Sequence, residues 1–349
     1  MVTKKNWRLV LCSGAEHLEE EFVRAGYSVI KSSRNYDDSR KFANSDVYTR
    51  IPTVKKLQGR SVCIIQSFTC SGEGSKNNFT TGDRIVEVLQ ALDILAHPYD
   101  IEYVDPTNRQ YIPLKPPKEI VLLALHLPFS KQDQVYNTGE SNSCQTMIRT
   151  LLVAGTDRIV TIDPHVPLNF QWFHDYLESG KIVVLSMYQR VIDELARKEE
   201  FHQVRFVNTP GKKRSNIGQE LLEINKQRVS TTEVLLQGDL SEDFSGKSVF
   251  LIDDMVISGT TIKKARKLFL NKGAKSVHCW ITHALPYESG KEENLRRLVD
   301  AFDEKLFVSN TVRSQTFYRD FPYCYKSCVP LIVEEFLEKE GDSNPPRET

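Results

Sequence analysis

VFLIDDMVISGTT, residues 249–261, is the stretch that decides the fold of this chain. Its first four residues are apolar, which is typical of a strand buried on both faces of a parallel sheet. The stretch 262–270 that follows has the apolar spacing of an amphipathic helix. The pattern predicts a strand, a short polar turn and a helix, with two carboxylates at the point where the strand ends. This is the repeating unit of an α/β protein.

The turn at the end of this strand has the composition of a phosphate site. Asp253 and Asp254 are acceptors that suit sugar hydroxyls or a hydrated Mg²⁺, and Gly259 lets the backbone come close to a ligand. Hydroxyl side chains at the other positions of 258–261 add donors beside the N–H groups of a helix start. We therefore predict a site for a phosphorylated sugar. The alternative is an ordinary turn that a Ser or Thr caps.

The composition of the chain excludes several classes of protein. Its 349 residues suffice for two domains, and 46 basic residues balance 46 acidic ones, so no net charge points to nucleic acid or to an anionic membrane. The apolar runs are too short for a membrane helix, and the first residues lack the apolar core of a signal peptide. The seven cysteines are irregularly spaced, which indicates reduced thiols. We expect a cytoplasmic protein with no nucleic acid or membrane partner.

Alternating strand and helix patterns run through the chain twice. Apolar runs predict strands in the first half at 7–12, 61–67, 119–127 and 158–163. A second series is expected to begin at 182–185. The segment 97–117 is rich in Pro and Tyr and is expected to be an inserted loop or extended arm that includes a hairpin. The order implies an α/β fold of two domains with mostly parallel sheets flanked by helices, and ligands at the carboxyl ends of the strands.

Several stretches resemble the ribose-phosphate diphosphokinases, also called PRPP synthetases, whose PRPP loop is shared with the type I phosphoribosyltransferases. The turn 258–261 is similar to that loop, with Ser-Gly-Thr-Thr where the family has Thr-Gly-Gly-Thr. Five other stretches are similar to family motifs in the same order along the chain: Lys41–Ile51, Ser61–Ser67, Lys131–Asp133, Asp157–His165 and Val308–Val312. The matches run from Arg8 to Leu337, so the chain resembles a divergent member of the family over nearly its whole length.

The resemblance implies a domain organisation and a reaction. Two phosphoribosyltransferase-like domains are expected, residues 1–165 on the ATP side and residues 166–311 with the PRPP loop. Residues 312–341 are expected to include a C-terminal helix that packs back on the N-terminal domain, and 342–349 to form a disordered tail. The implied reaction passes the β,γ-diphosphoryl group of ATP to the C1 hydroxyl of ribose 5-phosphate, giving PRPP and AMP. Mg²⁺ is the implied cofactor, and a homo-oligomer is the implied assembly.

The same resemblance implies roles for individual residues. ATP would be bound by Phe42, Asn44, Asp46, Lys131, Gln132, Asp133 and His165. His165 would also be the metal-associated residue. Ribose 5-phosphate would be bound by Asp253, Asp254, Ile257, Ser258, Gly259, Thr260 and Thr261. Lys226 and Arg228 would be the catalytic residues, on a mobile loop that closes over the diphosphoryl group.

The chain departs from the family pattern at several places. Asn44-Ser45 stands where Asp-Gly is usual, and Lys131 stands where an Arg would offer a bidentate contact. The segment 207–211 replaces a Ser-Pro-Asp turn, so the Asp of that turn is absent. Two alternatives therefore stay open. One is a catalytically impaired regulatory homologue that associates with an active synthetase, and the other is a diphosphokinase that acts on a different phosphorylated sugar or nucleotide.

Overall fold

The computed structural model describes residues 7–32, 39–69, 79–196, 204–208, 222–223, 225–228, 234–237, 242–285, 293–302, 305–312 and 315–339. The chain divides into two compact units. The first comprises Met1–Val166, Gln171–Leu185 and Val329–Thr349, and the second comprises Pro167–Phe170 and Ser186–Cys328. Among the described residues, no helix has both the length and the apolar composition that a membrane crossing needs.

A parallel sheet forms the centre of the first unit. The strands of this unit are β1 (Trp7–Leu11), β2 (Ser28–Lys31), β3 (Ser61–Ser67), β4 (Tyr99–Tyr103), β5 (Arg109–Pro113), β6 (Glu119–His126), β7 (Arg158–Ile162) and β8 (Ile182–Leu185). All of them except β4 and β5 join one sheet in the order β2-β1-β3-β6-β7-β8, and every neighbouring pair is parallel. The central strands β3 and β6 are buried at every position after the first, which explains why their sequences are nearly continuous apolar runs.

Helices connect most of these strands. They are α1 (Glu19–Arg24), α2 (Thr81–Ala96), α3 (Ser143–Val153) and α4 (Gln171–Glu178), with single turns of 3₁₀ helix at Glu16–Leu18 and Val54–Leu57. Helix α2 begins with a capping box, because Thr80 Oγ1 accepts the N–H of Asp83 while the Asp83 carboxylate accepts the N–H of Thr80. Its apolar residues at helical spacing, such as Val88 and Leu92, are fully buried.

The inserted segment 97–117 contains an antiparallel hairpin, as the sequence predicts. Strands β4 and β5 pair with each other, with Ile101 opposite Tyr111. The rings of Tyr99 and Tyr111 meet edge to face, with centroids 5.3 Å apart. Both tyrosines are largely exposed. The hairpin is therefore an addition to the first unit that leaves the order of its central sheet unchanged.

A second parallel sheet forms the centre of the second unit. The strands of this unit are β9 (Val204–Asn208), β10 (Leu222–Glu223), β11 (Asn225–Arg228), β12 (Val234–Gln237), β13 (Ser248–Val256), β14 (Ser276–Ala284), β15 (Leu306–Ser309) and β16 (Tyr325–Lys326). The sheet order is β10-β9-β13-β14-β15-β16, while β11 and β12 form a separate antiparallel pair. The helices are α5 (Met187–Ala196), α6 (Thr260–Asn271), α7 (Glu293–Ala301) and α8 (Gln315–Asp320), with a 3₁₀ turn at Pro322–Cys324.

Both sheets have the same order, because in each the first strand lies between the second and the third. The order reverses between β1 and β3 in the first sheet and between β9 and β13 in the second. Open α/β sheets bind ligands in the crevice outside the carboxyl ends of the strands at such a reversal, which is called a switch point. The α/β fold of two parallel-sheet domains predicted from the sequence is confirmed, and the shared order identifies one switch point in each unit.

The structure extends the first unit beyond the boundary predicted at residues 165–166, because Gln171–Leu185 returns to it. Strand β8 was expected to open the second domain, but it pairs in parallel with β7 and completes the first sheet. The short segment Pro167–Phe170 belongs to the second unit, whereas Gln171–Leu185 belongs to the first. The apolar run at 182–185 is compatible with either sheet, and only the pairing with β7 decides between them.

The C-terminal region also divides differently from the prediction. Residues of 312–328 belong to the second unit, where β16 is the edge strand of the sheet. From Val329 onward the chain belongs to the first unit, as helix α9 (Val329–Ile332) and a wider π-helical turn at Val333–Leu337. The ring of Phe336 packs 5.5 Å from that of Trp7, centroid to centroid. The predicted tail, 342–349, lies outside the described residues.

Candidate active site

Strand β13 carries the two carboxylates of the predicted site. The strand continues to Val256, so both aspartates lie inside it and not at its end as predicted. Asp253 is half-buried and pairs in register with Ile281 of β14. Asp254 is buried, and its Oδ1 accepts the N–H of Met255 at 2.9 Å. The Asp253 carboxylate is thus the more accessible of the two acceptors.

The turn 257–261 joins β13 to α6. Ile257 is half-buried, and the hydroxyls of Ser258 and Thr260 are exposed and lie 3.3 Å apart. Gly259 has φ +70°, a conformation that L side chains rarely adopt, and a Cβ there would lie 2.6 Å from the side chain of Leu298. The left-handed φ and the contact with Leu298 both select glycine at this position of the turn.

Helix α6 begins at Thr260 and adds positive charge behind this turn. The first N–H groups of a helix have no acceptor one turn earlier in the same helix, so the positive end of the helix dipole lies at this turn. The helix contains no Asp or Glu and has four basic residues, at positions 263, 264, 266 and 267. The positive charge of these residues and of the helix dipole attracts phosphate to this turn.

The catalytic candidates lie on a strand and not on the loop that the sequence predicts. Lys226 and Arg228 belong to β11, where they pair in register with Leu236 and Val234 of β12. Asn208, at the position where the family turn begins, ends β9 and is paired with Ile252 of β13. The segment 209–221 lies outside the described residues.

In the first unit, the three candidates for the ATP base share one tight loop. The loop is closed by a bridge between Lys41 and Val47, and Phe42 N–H donates to Asp46 O at 2.9 Å. The Phe42 ring is 47% exposed and meets the edge of the Tyr48 ring, with centroids 5.5 Å apart. Asn44 donates to the Asp46 carboxylate at 2.5 Å. An exposed ring beside an amide and a carboxylate is suited to stacking and hydrogen bonding with a base.

The other candidates on the ATP side follow β6 and β7. Lys131 and Gln132 are exposed in the turn after β6, while the neighbouring Asp133 is 1% exposed. The Asp133 carbonyl accepts hydrogen bonds from Asn142 at 2.9 Å and from Trp172 at 3.2 Å. Asp133 therefore holds this turn in place, and only Lys131 and Gln132 are exposed enough to contact a ligand. His165 is half-buried, three residues after the end of β7.

A buried polar cluster at the first switch point was missed from the sequence. Its centre is Glu87 of α2, which is 1% exposed and accepts hydrogen bonds from Ser13, Ser32 and Gln66. Arg40, which is 2% exposed, lies 3.3 Å from the same carboxylate. The only sequence signal was the spacing of polar residues 83, 87 and 90 along a helix whose other positions are largely apolar.

The pKa values of several side chains in both units are shifted by burial or by neighbouring charges. Burial alone would raise the pKa of Asp83, but hydrogen bonds from Lys41 and Thr80 and the charge of Lys41 outweigh it, so the pKa lies below the usual 3.8. Burial, together with the charge of Lys305, lowers the pKa of His278 to about 4, so this histidine is neutral near pH 7. Burial raises the pKa of Cys12 and Cys63 well above the usual range of a thiol. These two thiols are therefore not nucleophiles.

Ligand atoms for a metal ion cluster at only one place in the described part of the chain. His174, Asp175 and Glu178 lie on one exposed face of α4. The spacing i, i+1 and i+4 is common on solvated helices, and His174 already pairs with Glu178 at 3.6 Å. The described residues around His165 provide no comparable group of three.

Comparisons with known proteins agree with this geometry. The family model described as "Phosphoribosyl transferase domain" matches residues 189–315, which contain β13 and the turn 257–261. The ribose-phosphate pyrophosphokinase of Saccharolobus solfataricus is 28% identical over 205 residues, covering 56% of this chain and 66% of the relative. The ribose-phosphate pyrophosphokinase of Thermococcus kodakarensis is 25% identical over 309 residues, covering 87% of this chain and 93% of the relative.

One solved structure has a similar fold over nearly the whole chain. The phosphoribosylpyrophosphate synthetase from Mycobacterium smegmatis superposes with a TM-score of 0.69 at 20% identity, and the match covers 95% of this chain and 97% of that one. At this identity the match shows the fold. Taken together, the two-unit fold, the phosphoribosyltransferase match in the second unit and these relatives support a divergent member of the ribose-phosphate pyrophosphokinase, or PRPP synthetase, family.

Proposed function

We propose that the chain is a ribose-phosphate diphosphokinase that makes PRPP and AMP from ATP and ribose 5-phosphate. The observation that carries the proposal is the turn 257–261. It combines a left-handed glycine, exposed hydroxyls, the start of a basic helix and an accessible carboxylate at a switch point. In this proposal the turn holds the 5-phosphate, and Asp253 holds the ribose hydroxyls. Ser258, Thr260 and Thr261 supply hydroxyl donors.

The nucleotide is proposed to bind at the loop that carries Phe42. The exposed ring offers a face to adenine, and Asn44 and Asp46 offer hydrogen bonds to the base or its ribose. Lys131 and Gln132 are exposed at the end of β6 and supply polar contacts to the same ligand. His165 follows the neighbouring strand β7, so both turns lie at the carboxyl edge of the first sheet.

The reaction requires a bond between the C1 oxygen of ribose 5-phosphate and the β-phosphorus of ATP. The bond from that phosphorus to the oxygen of the α-phosphate breaks, AMP leaves, and the hydroxyl proton passes to solvent. Charge accumulates on the phosphate oxygens during the transfer, so fixed positive groups accelerate it. We assign this role to Lys226 and Arg228, which lie two residues apart on β11.

Mg²⁺ fits part of the donor set present in the chain. The accessible Asp253 carboxylate is a hard oxygen donor of the kind that Mg²⁺ prefers, with water and phosphate oxygens as its other ligands. The imidazole of His165 is a softer donor and would supply at most one ligand. Bound at the phosphates, the ion would neutralise their charge and fix their orientation.

Release of AMP from ATP tests the proposal directly. We expect release only when ribose 5-phosphate and Mg²⁺ are both present, with PRPP formed in equal amount. Replacing Lys226 by Ala should lower kcat by about 10²–10³-fold while KM for ribose 5-phosphate changes little. Gln227→Ala, at the residue between the two catalytic candidates, is the matched control. AMP release that does not depend on a sugar phosphate would contradict the proposal.

A second function, regulation of an active synthetase, is favoured by Asn208 at the end of β9. Its register partner, Ile252, immediately precedes Asp253, so the segment 207–211, which lacks the Asp of the family turn, begins beside strand β13. Under this alternative the chain has no turnover and co-purifies with an active synthetase. Asn208→Asp should then raise turnover. A panel of phosphorylated sugars and nucleotides, read by AMP release, tests for a different acceptor.

A further inference from the structure

Glu87 lies at the switch point of the first sheet, where an α/β protein usually binds a ligand. Its contacts come from the ends of three adjacent strands, because Ser13 follows β1, Ser32 follows β2 and Gln66 lies near the end of β3. The side chain is 1% exposed. A charged group so deeply buried is stable only when hydrogen bonds and opposite charge compensate for lost hydration.

The groups around this carboxylate are those that bind anions from solution. Ser13 donates its N–H to Oε1 at 3.0 Å and its hydroxyl to Oε2. Ser32 donates its hydroxyl to Oε1 at 3.0 Å, and the Gln66 amide donates to Oε2 at 2.9 Å. The Arg40 guanidinium, 3.3 Å from Oε1, supplies the positive charge. A backbone N–H, two hydroxyls, an amide and a guanidinium form the donor set of a typical carboxylate or phosphate site.

The cluster is closely packed around Gly14. Gly14 donates its N–H to Gln66 Oε1 at 2.8 Å. A Cβ at Gly14 would lie 2.5 Å from that oxygen, 2.6 Å from Ser67 O and 2.7 Å from a guanidinium nitrogen of Arg84. No side chain fits there without displacing the backbone. The space next to Gly14 is therefore filled by the protein's own atoms.

The same cluster holds the base of the loop that carries Phe42. Arg40 is 2% exposed and also pairs with Glu16. Its carbonyl accepts the N–H of Tyr48 at 2.8 Å, which closes the loop behind the Lys41–Val47 bridge. A change in the position of Arg40 would thus move both ends of the loop.

Helix α2 contacts the loop at two further points on the same face as Glu87. Asp83, four residues earlier, binds the ammonium of Lys41 at 2.7 Å. Gln90, three residues later, donates to the carbonyl of Val47 at 3.1 Å. Side chains at these spacings lie on one side of a helix. One row of polar residues on α2 therefore fixes the loop at its beginning and at its end.

We infer that Glu87 is a built-in anion that fills the first switch point and, through Arg40, positions the loop presenting Phe42, Asn44 and Asp46. Glu87 is a positioning residue, since it cannot touch a nucleotide itself. The effect on nucleotide affinity rests on the proposed function, whereas the effect on the loop does not.

Hydrogen exchange of the loop amides and chemical rescue test this inference on the full chain. In Glu87→Ala, we expect the amides of Phe42, Ser45 and Tyr48 to exchange at least about tenfold faster, because Arg40 loses its buried partner. Formate or acetate should restore slow exchange by occupying the vacated donors, whereas chloride at equal ionic strength and neutral acetamide should not. KM for ATP should rise about tenfold and fall again with acetate, with a smaller change in kcat.

Glu119→Ala is the matched control. Glu119 pairs with Arg158 at 2.9 Å in the same unit, at the opposite ends of the strands. This variant should show unchanged loop exchange and no response to acetate. If Glu87→Ala does not fold, Glu87→Gln keeps the shape of the side chain and should still speed exchange of the loop.

The outcomes separate the two proposals. Unchanged loop exchange in folded Glu87→Ala, or no response to formate and acetate, would overturn the inference. A wild-type protein that never binds ATP, but whose loop responds to Glu87→Ala and to acetate, would refute the proposed function and leave the inference standing.

Discussion

In the first unit the crevice between β1 and β3 is filled by the protein's own side chains, whereas in the second the crevice between β9 and β13 carries a turn with exposed hydroxyls. The helices that follow the two crevices differ in charge. Helix α2 has acidic residues at 83, 87 and 93 and one basic residue, while α6 has four basic residues and no acidic one. The seventh residue is Glu87 in α2 and Arg266 in α6. The same strand order thus supports a crevice that holds a buried acidic side chain and a crevice that carries a polar turn with exposed hydroxyls.

The two crevices also depend on different kinds of interaction. The turn 257–261 owes its shape to backbone conformation, with a left-handed glycine at its centre. The Glu87 cluster owes its shape to packed side chains drawn from positions 13, 32, 40 and 66. Substitutions should therefore disturb the turn 257–261 by changing its backbone conformation. They should disturb the Glu87 cluster by changing the volume or the charge of buried side chains. The following experiments test that difference.

Gly14→Ala should have the largest effect on stability. The added methyl would lie 2.6 Å from the backbone oxygen of Ser67, which cannot move without distorting β3. Overpacking of this kind typically costs about 1–3 kcal/mol, and more when backbone is involved. We expect a fall of that size in the free energy of unfolding from urea denaturation. Gly82→Ala, in the first turn of α2 with no atom closer than 3.6 Å, is the control and should be neutral or slightly stabilising.

A small effect of Gly14→Ala would contradict the comparison, since it would show that the first crevice has spare volume. In that case the crevice would be open to small ligands despite Glu87. Crystallography or chemical shifts of the Arg84 and Gln66 side chains would reveal where the volume lies.

Gly259→Ala should have the next largest effect, and it should act mainly on ribose 5-phosphate. A left-handed conformation costs a side-chain-bearing residue about 1–2 kcal/mol. Gly246→Ala is the control, because Gly246 has φ +73° in the same unit with no atom within 4 Å of a Cβ. Both variants should lose stability through the left-handed φ, and Gly259→Ala should lose more because its Cβ would lie 2.6 Å from Leu298. Only Gly259→Ala should raise KM for ribose 5-phosphate, by about tenfold or more.

The double variant Gly259→Ala/Leu298→Ala sharpens the comparison. It removes the contact of 2.6 Å with Leu298 but leaves φ unchanged. We expect no recovery of KM. Full recovery would mean that packing against α7 sets the shape of the turn, as packing does in the first unit.

The same difference explains why the sequence predicts the turn 257–261 but not the Glu87 cluster. The turn 257–261 is contiguous with its strand and helix, so residue types at fixed spacing sufficed to predict a phosphate site there. The Glu87 cluster joins residues up to 74 positions apart, such as Ser13 and Glu87, and no local pattern connects them. Nor could hydropathy decide which sheet β8 joins, because a short apolar strand fits either. Similarly, only pairing with β12 shows that Lys226 and Arg228 lie on a strand.

Removal of single hydroxyls from the turn should have moderate effects. Ser258→Ala and Thr260→Val each remove one exposed hydroxyl next to the turn's backbone donors. A hydrogen bond contributes about 0.5–1.5 kcal/mol, so KM for ribose 5-phosphate should rise about 2–10-fold in each, with stability unchanged. Ser248→Ala, at the amino end of the same strand β13, is the control. A large loss of stability in Ser258→Ala would show that the turn depends on its side chains after all.

Asp83→Ala should have the smallest effect, and that effect should depend on pH. The pKa of Asp83 in the folded protein lies below 3.8, so its carboxylate stabilises the fold above that value and stops doing so as pH falls through the folded pKa. We expect a loss of about 1 kcal/mol at pH 7, from the cap and the partly exposed pair with Lys41, and a smaller loss near pH 3. Thermal unfolding of both proteins between pH 3 and pH 7 measures this difference. Thr81→Ala, at an uncharged residue in the same first turn of α2, is the control and should show no such trend. A loss of stability that stays constant with pH would mean that Asp83 acts through the shape of the helix start and not through the charge of its carboxylate. The ion pair with Lys41 would then no longer count among the three contacts by which α2 fixes the loop.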